Sequence, residues 1–362
     1  LINPYYFNSI KNNKHINKNH KFKFISSYIQ LFNEFKKLPK FFFFSDYAGN
    51  FFLINIIKKI LEIKGGTNTL INLGGQLNIQ IKKISVLKFF LKEKKYYFLL
   101  KKIFFYVLQK VIDLFMNIFF KSKPKIIFVS DLFSYEKYKN KFKTAIIFKI
   151  NGADFQNYLN FKKKGLLNQK KYITFLDTAF DENFDYQLRN FKYMKLSPLN
   201  FWKKINLFFD KIQSYYPNKS IMIAAHPNRF KNDAPSKYKC NYNQSALLVG
   251  KSDLVITTNS LSAAYAVLFD KPLILIYSNS YNDQIFERTA SIDFYKKNLG
   301  IKSINIDRIN SIKKKNLENL KKNSYSKNKY EKYKNYYLGF PNIKTQGGPW
   351  STIYKRLSDY NF

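Results

Sequence analysis

The chain has 362 residues, 46% of them hydrophobic, which is room for two domains of ordinary size with substantial cores. A single cysteine, Cys240, excludes an internal disulfide or a cysteine-built zinc cage and fits a reducing cytoplasm. The formal net charge is +40, yet only five of the 63 basic residues are arginine, so the arginine-led contacts by which proteins read nucleic acid are scarce and no nucleic-acid partner is expected.

Lysine, asparagine, isoleucine, phenylalanine and tyrosine are enriched together, as in A/T-rich coding sequence, which gives the basicity a second origin besides selection for a polyanion. Residues 1–20 are polar and Asn- and Lys-rich and read as a loose arm, without the pattern of a signal peptide. A mixed helical pattern follows over 22–38. Phe41 to Phe44 reads as a strand ending at Ser45-Asp46, and 51–63 as a helix closed by Gly65-Gly66. That strand–loop–helix order suits a nucleotide- or sugar-binding domain. The next strand is expected at 69–73.

Residues 97–120 are the most apolar long segment. Lys101, Lys102, Lys110 and Asp113 interrupt it too often for a membrane span. On a helical wheel Lys102, Gln109, Lys110, Asp113 and Asn117 share one face. Two readings follow: a helix nearly surrounded by core, or one lying in a membrane interface with lysines on anionic headgroups. Strands are expected at 125–129 (KIIFV) and 144–150 (TAIIFKI), and their alternation with helices predicts a parallel α/β domain. The polar, Lys-rich stretch 157–170 reads as an interdomain linker.

A second domain starts with YITFL at 172–176, followed by Asp177 in the loop DTAFDEN. A helix is expected over 198–215, then the strand SIMIAA at 220–225, which delivers His226, Pro227, Asn228 and Arg229 at its carboxyl end. A short helix at 244–251 precedes SDLVITTNSLSAAYAVLFDKP, residues 252–272: a strand, a turn of Thr257, Thr258, Asn259 and Ser260, and an Ala-rich helix ended by Lys271-Pro272. LILIY at 273–277 is the next buried strand, completing a βαβ unit. A last strand at 301–306, a charged helical tail over 310–334 and an amphipathic turn at 353–357 finish the chain.

In an open parallel sheet, ligands bind beyond the carboxyl ends of the strands. A turn of two threonines, an asparagine and a serine supplies hydroxyl and amide donors there, suited to a phosphate without a Gly-rich loop. The plainer alternative is that Asn259 or Ser260 only caps its own helix.

Two α/β halves, a strand ending in His226-Pro227 and the later S-D…T-T-N-S…K-P pattern together resemble the GT-B glycosyltransferases of bacterial surface-polysaccharide synthesis. The narrower likeness is to the CMP-sugar-dependent sialyl- and Kdo-transferases. The matching span is about 172–277. The resemblance implies a GT-B-like α/β fold with two Rossmann-like domains facing across a cleft. They would be an acceptor domain over 1–160, a nucleotide-sugar domain over 161–325 and a C-terminal helical tail over 326–362 that packs back on the first. It also implies that His226, Pro227, Asn228, Arg229, Thr258, Asn259 and Ser260 hold the donor's nucleotide and phosphate, without metal or other cofactor. The expected partners are a nucleotide-sugar donor, CMP-linked by preference, and a glycan or lipid-linked acceptor, at the cytoplasmic face of the inner membrane.

An inverting transfer needs a carboxylate to take the acceptor's proton. The candidates rank Asp177, Asp46, Asp181, with Glu182 and Asp154 behind them. The family's acidic-acidic-Gly stretch has no glycine counterpart in DTAFDEN. Polyol-phosphate transferases that use CDP-glycerol or CDP-ribitol share the H-P…S-D…S…K-P arrangement and are the nearest alternative. Non-hydrolysing sugar-nucleotide epimerases and a basic polyanion-binding protein follow.

Overall fold

A computed structural model describes residues 41–45, 52–63, 65–73, 100, 104, 107, 108, 111, 114, 122–163, 172–179, 198–227, 229, 236–279, 286–343 and 348–359. They divide into two compact units, separated at 70/71, 108/109 and 126/127. In the first unit, β1 (Phe41–Ser45) pairs in parallel with residues Gly66 to Leu70 of β2 (Gly66–Asn72), and α1 (Phe52–Ile63) lies between them in sequence. Gly65 ends α1 at φ 85°, a left-handed conformation that a side chain would oppose.

The second unit contains β3 (Ile126–Val129) from Ile127 on, α2 (Leu132–Lys141), β4 (Ile146–Lys149) and α3 (Ala153–Lys163). All four residues of β3 are buried, as an apolar run covered on both faces must be. Asp131 caps α2 by accepting from the Ser134 N–H at 2.7 Å and the Ser134 hydroxyl at 2.9 Å. The stretch expected as a linker from 157 is instead helical as far as Lys163, because Phe155 on its inner face is buried against the rest of the unit.

A six-stranded, all-parallel sheet makes the centre of this unit. Its strands are β5 (Tyr172–Leu176), β6 (Ser220–Ala224), β7 (Lys239–Asn241), β8 (Ser252–Thr257), β9 (Leu273–Tyr277) and β10 (Ser303–Asn305). The spatial order is β10-β9-β8-β5-β6-β7. Counted from β5, this is the doubly wound 3-2-1-4-5-6 order, and it reverses direction between β5 and β8. Alternate residues feed opposite faces. Ile173, Phe175, Ile221, Ile223, Leu254, Ile256, Ile274 and Ile276 meet α4 (Pro198–Tyr215), which presents Phe201, Trp202, Ile205, Phe208, Phe209 and Ile212.

Leu176, Ala224, Val255, Leu273 and Leu275 face the other way. There they meet α5 (Ser245–Gly250), α6 (Ala263–Leu268), α7 (Phe286–Leu299) and the tyrosines of α9 (Lys327–Tyr333). The charged tail expected as one helix is two, α8 (Lys314–Asn323) and α9, broken at Ser324, whose N–H and hydroxyl both bond the Lys321 carbonyl. A final helix, α10 (Pro349–Ser358), buries Ile353 and Leu357. Neither β7 nor α7 was expected from the sequence. The first is three residues long, and the second has no amphipathic periodicity. The end segment lies on residues 133–155: Asn151 accepts from the Phe340 N–H and donates to the Ile343 carbonyl, both at 2.9 Å, and Tyr336 donates to Glu136 at 2.9 Å.

Candidate functional site at the strand ends

Register brings the expected residues to one end of the sheet. Leu176 of β5 pairs with Ala224 of β6 on one side and with Thr257 of β8 on the other. His226 therefore leaves the sheet two residues past that line and Ser260 three past it. Their strands flank β5, with axes about 10 Å apart by ordinary strand spacing. Asp177 emerges between them.

The β5 and β6 ends are sewn to each other. Buried Asp177 accepts from Arg229 Nε at 2.8 Å and Arg229 Nη2 at 3.3 Å, a fork-to-carboxylate pair in which both side chains are sealed from solvent. Its oxygens also accept the Ala179 N–H at 2.9 Å and the His226 N–H at 3.3 Å. The first of these bonds holds Ala179 at φ 44°, a left-handed conformation rare for a residue with a Cβ. The Arg229 guanidinium also lies over the Trp202 ring, 5.5 Å from its centroid.

Arg229 is thus spent on Asp177. With its two oxygens shared between Arg229 and two backbone N–H groups, Asp177 is arranged as a post that sets the His226 loop. The His226 ring is half-buried. Burial pushes its pKa below the ordinary 6.5; Asp177 pulls it back and Arg229 adds to the drop. The imidazole is neutral at pH 7. Pro227 is exposed in the turn that Arg229 N–H closes on the His226 carbonyl at 2.9 Å.

The β8 end is built differently. The Thr257 hydroxyl donates to the Leu176 carbonyl at 3.2 Å and accepts the Ser260 N–H at 3.1 Å, which folds the turn back over its own strand. The Ser260 hydroxyl accepts the Ser262 N–H at 3.3 Å, leaving its own proton to donate, and the buried Tyr295 hydroxyl donates to the Ser260 carbonyl at 3.2 Å. The Thr258 hydroxyl meets the Asn259 side-chain oxygen at 3.2 Å and the Thr178 hydroxyl at 3.4 Å. The pair Thr178–Thr258 spans the gap between β5 and β8, the point where strand order reverses. Asn259 keeps its amide N–H groups unengaged among the described residues.

Of the remaining candidates, Asp46, Asn228, Asp181 and Glu182 lie outside the described residues. Asp154 stands in the first turn of α3 and accepts from the Tyr265 hydroxyl at 2.7 Å. A cavity of about 170 Å³ lies beside it, lined by Leu73, Gly152, Phe155, Leu268 and Tyr337 among others, and touches none of Asp177, His226 or Ser260. One feature went unforeseen. At the β9 and β10 ends Asp307 accepts from Lys204, from the Ser278 hydroxyl at 2.7 Å and from the Asn279 N–H at 2.8 Å. Burial works against its charge, but these donors together hold the carboxyl below the usual carboxylate range. Only I-D-R after a short strand could have pointed to it. Among the described residues no group of three or more His, Cys, Asp or Glu is placed to hold a metal ion.

No protein-family profile matches the chain, and no curated protein does. Solved structures similar to it include the wall teichoic acid polymerase TagF, at 16% identity over 65% of this chain and 56% of that one, with a TM-score of 0.37. The glycotransferase of kitacinnamycin matches at 8% identity over 84% and 72%, with a TM-score of 0.35. UGT2 of Phytolacca americana in its apo form matches at 10% identity over 85% and 74%, with a TM-score of 0.41. The chain spans just over half the length of the teichoic acid polymerase. At such TM-scores these likenesses bear on neither donor nor acceptor.

Proposed function

We propose that the protein is a glycosyltransferase that takes a sugar from a nucleotide-sugar donor, CMP-linked by preference. The acceptor is a surface glycan or lipid-linked saccharide, at the cytoplasmic face of the membrane. The donor-binding part is residues 161–325. The observation that carries this reading is the reversal of strand order between β5 and β8, with the donor-rich Thr258-Asn259-Ser260 turn on one side and His226 on the other. Doubly wound sheets bind nucleotides at that point.

In this scheme the Ser260 hydroxyl and the Asn259 amide donate to phosphate oxygens, and His226 donates a ring N–H to the departing nucleoside phosphate. Charge builds on that phosphate as the bond to the sugar breaks, so donors already in place lower the barrier. Asp177 and Arg229 position the His226 loop. Asp46, next after Asp177 in the ranking from sequence, is the candidate for taking the acceptor's proton.

The test is a titration of CMP, CDP and UDP into the wild type, His226→Ala and Ser260→Ala. Selective binding of one cytidine nucleotide, weakened about tenfold or more in both variants, is expected. No binding of any nucleotide, or binding untouched by both substitutions, overturns the proposal. Asp177→Asn separates two roles. A base would lose turnover and keep nucleotide binding, whereas a post loses both together with stability. The H-P…S-D…S…K-P pattern equally admits a polyol-phosphate transferase, and turnover of CDP-glycerol in place of a CMP-sugar would select it.

A further inference from the structure

We infer that Tyr295 of α7 is a positioning residue for the phosphate turn: its hydroxyl fixes the backbone of Ser260, and through it the aim of the Ser260 hydroxyl. The inference rests on the reading that this turn holds a nucleotide's phosphate. It adds to that site a residue 35 positions further along the chain, which acts without touching the ligand.

The turn is fastened at three places. Within it, Thr257 accepts the Ser260 N–H at 3.1 Å. From the β5 end, the Thr178 hydroxyl meets that of Thr258 at 3.4 Å. From the helices on one face of the sheet, Tyr295 donates to the Ser260 carbonyl at 3.2 Å. That carbonyl also accepts the Ala263 N–H at 3.1 Å, so both of its lone pairs are directed. With its N–H and its carbonyl both held, Ser260 has little backbone freedom left. Its hydroxyl oxygen accepts the Ser262 N–H, and the one proton it can donate is thereby aimed.

Tyr295 is packed to hold still. It is 2% exposed and lies in one cluster with Ala266, Leu268, Leu299, Tyr330 and Tyr333. The ring of Phe294 beside it meets Tyr333 and Tyr337 edge-on, at 6.2 and 5.6 Å between centroids, which ties this part of α7 to the tail. Burial raises the pKa of the Tyr295 phenol above the ordinary 10, so the hydroxyl stays protonated and keeps donating. A buried ring that only filled space needs no hydroxyl. One placed there has to find an acceptor, and the acceptor it has is the carbonyl of the residue that faces the phosphate.

Titration of CMP, CDP and UDP into the full chain tests this, comparing the wild type with Tyr295→Phe, Ser260→Ala, the two combined, and Tyr330→Phe. Tyr330 is the control. It is fully buried as well, and its hydroxyl meets the Lys271 and Ser324 carbonyls at 3.1 Å each, beyond the far end of α6. Tyr295→Phe is expected to weaken nucleotide binding about fivefold, the size of one neutral hydrogen bond. Tyr330→Phe should leave binding unchanged, while both lower the urea midpoint to a similar extent. In the Ser260→Ala background most of the Tyr295 effect should vanish, because the hydroxyl it aims is gone.

Wild-type affinity in Tyr295→Phe overturns the inference and leaves the phosphate reading standing. Losses that multiply independently in the combined variant also overturn it, since Tyr295 then does not act through Ser260. So does an equal loss of binding in Tyr330→Phe, which makes the effect one of stability alone. A wild type that binds no nucleotide overturns the reading of the turn itself, and this inference with it.

Discussion

The carboxyl ends of β5 and β8 are neighbours in one sheet and use their polar residues in opposite ways. At β5, Asp177 gives both oxygens to Arg229 and to two backbone N–H groups. At β8, the turn settles its own backbone through Thr257 and leaves the Asn259 amide and the Ser260 proton for something else. A polar residue at a strand end is therefore not in itself a ligand. What counts is whether its hydrogen-bonding capacity is already taken.

The largest expected effect breaks the closed end. Arg229→Met strands the Asp177 carboxylate in the core and is expected to cost about 3–5 kcal/mol, read as a lower urea midpoint. Adding Asp177→Leu removes the uncompensated charge and should recover much of the loss. Next, Ser260→Ala and Asn259→Ala should split the other way: stability within about 1 kcal/mol of wild type, and nucleotide affinity down about tenfold each. Equal losses of stability at both ends would erase the contrast.

A smaller effect sharpens the position of His226 between the two. A bound phosphate draws the ring toward its charged form, so nucleotide affinity should rise a few-fold as pH falls from about 8 to about 6, beyond any change seen in His226→Ala. Without ligand the sign is reversed. The unfolded chain protonates this ring at the ordinary 6.5 and the folded chain only at lower pH. Its share of stability is full above 6.5 and is lost as pH falls through the folded value, so the acid-side loss should be shallower in His226→Gln. The smallest effect is at the seam. Thr258→Val removes two long contacts, of 3.2 and 3.4 Å, and should change stability by less than about 1 kcal/mol, measured by the same denaturation.

Apolar runs told the truth about strands. SIMIA, LILIY and YITFL pair where their patterns place them, since strands covered on both faces must be apolar throughout. The helix Pro198–Tyr215 was equally legible from its periodicity. The pattern failed where burial is supplied by distant partners. The polar α3 is helical because its Phe155 and Tyr158 pack against α6 and the end of the chain, and α7 hides Ile292 and Tyr295 behind a sequence of mixed character.

Among site residues, the positions of His226 and Ser260 at strand ends could be read directly, because each follows an apolar run that stops. The partnership of Asp177 with Arg229 could not, since 52 residues separate them and nothing in either neighbourhood announces the other.

The sequence by itself thus determined an α/β chain, the strands around residue 176 and the two polar turns that leave them, because local hydrophobic period and turn chemistry are properties of short segments. Only the tertiary structure decided that β5 sits between β6 and β8, that strand order reverses beside Thr258, and that one arginine closes one of those turns. Sheet order and buried charge pairing are settled by which segments exclude water from each other, and segments far apart in the chain share that choice.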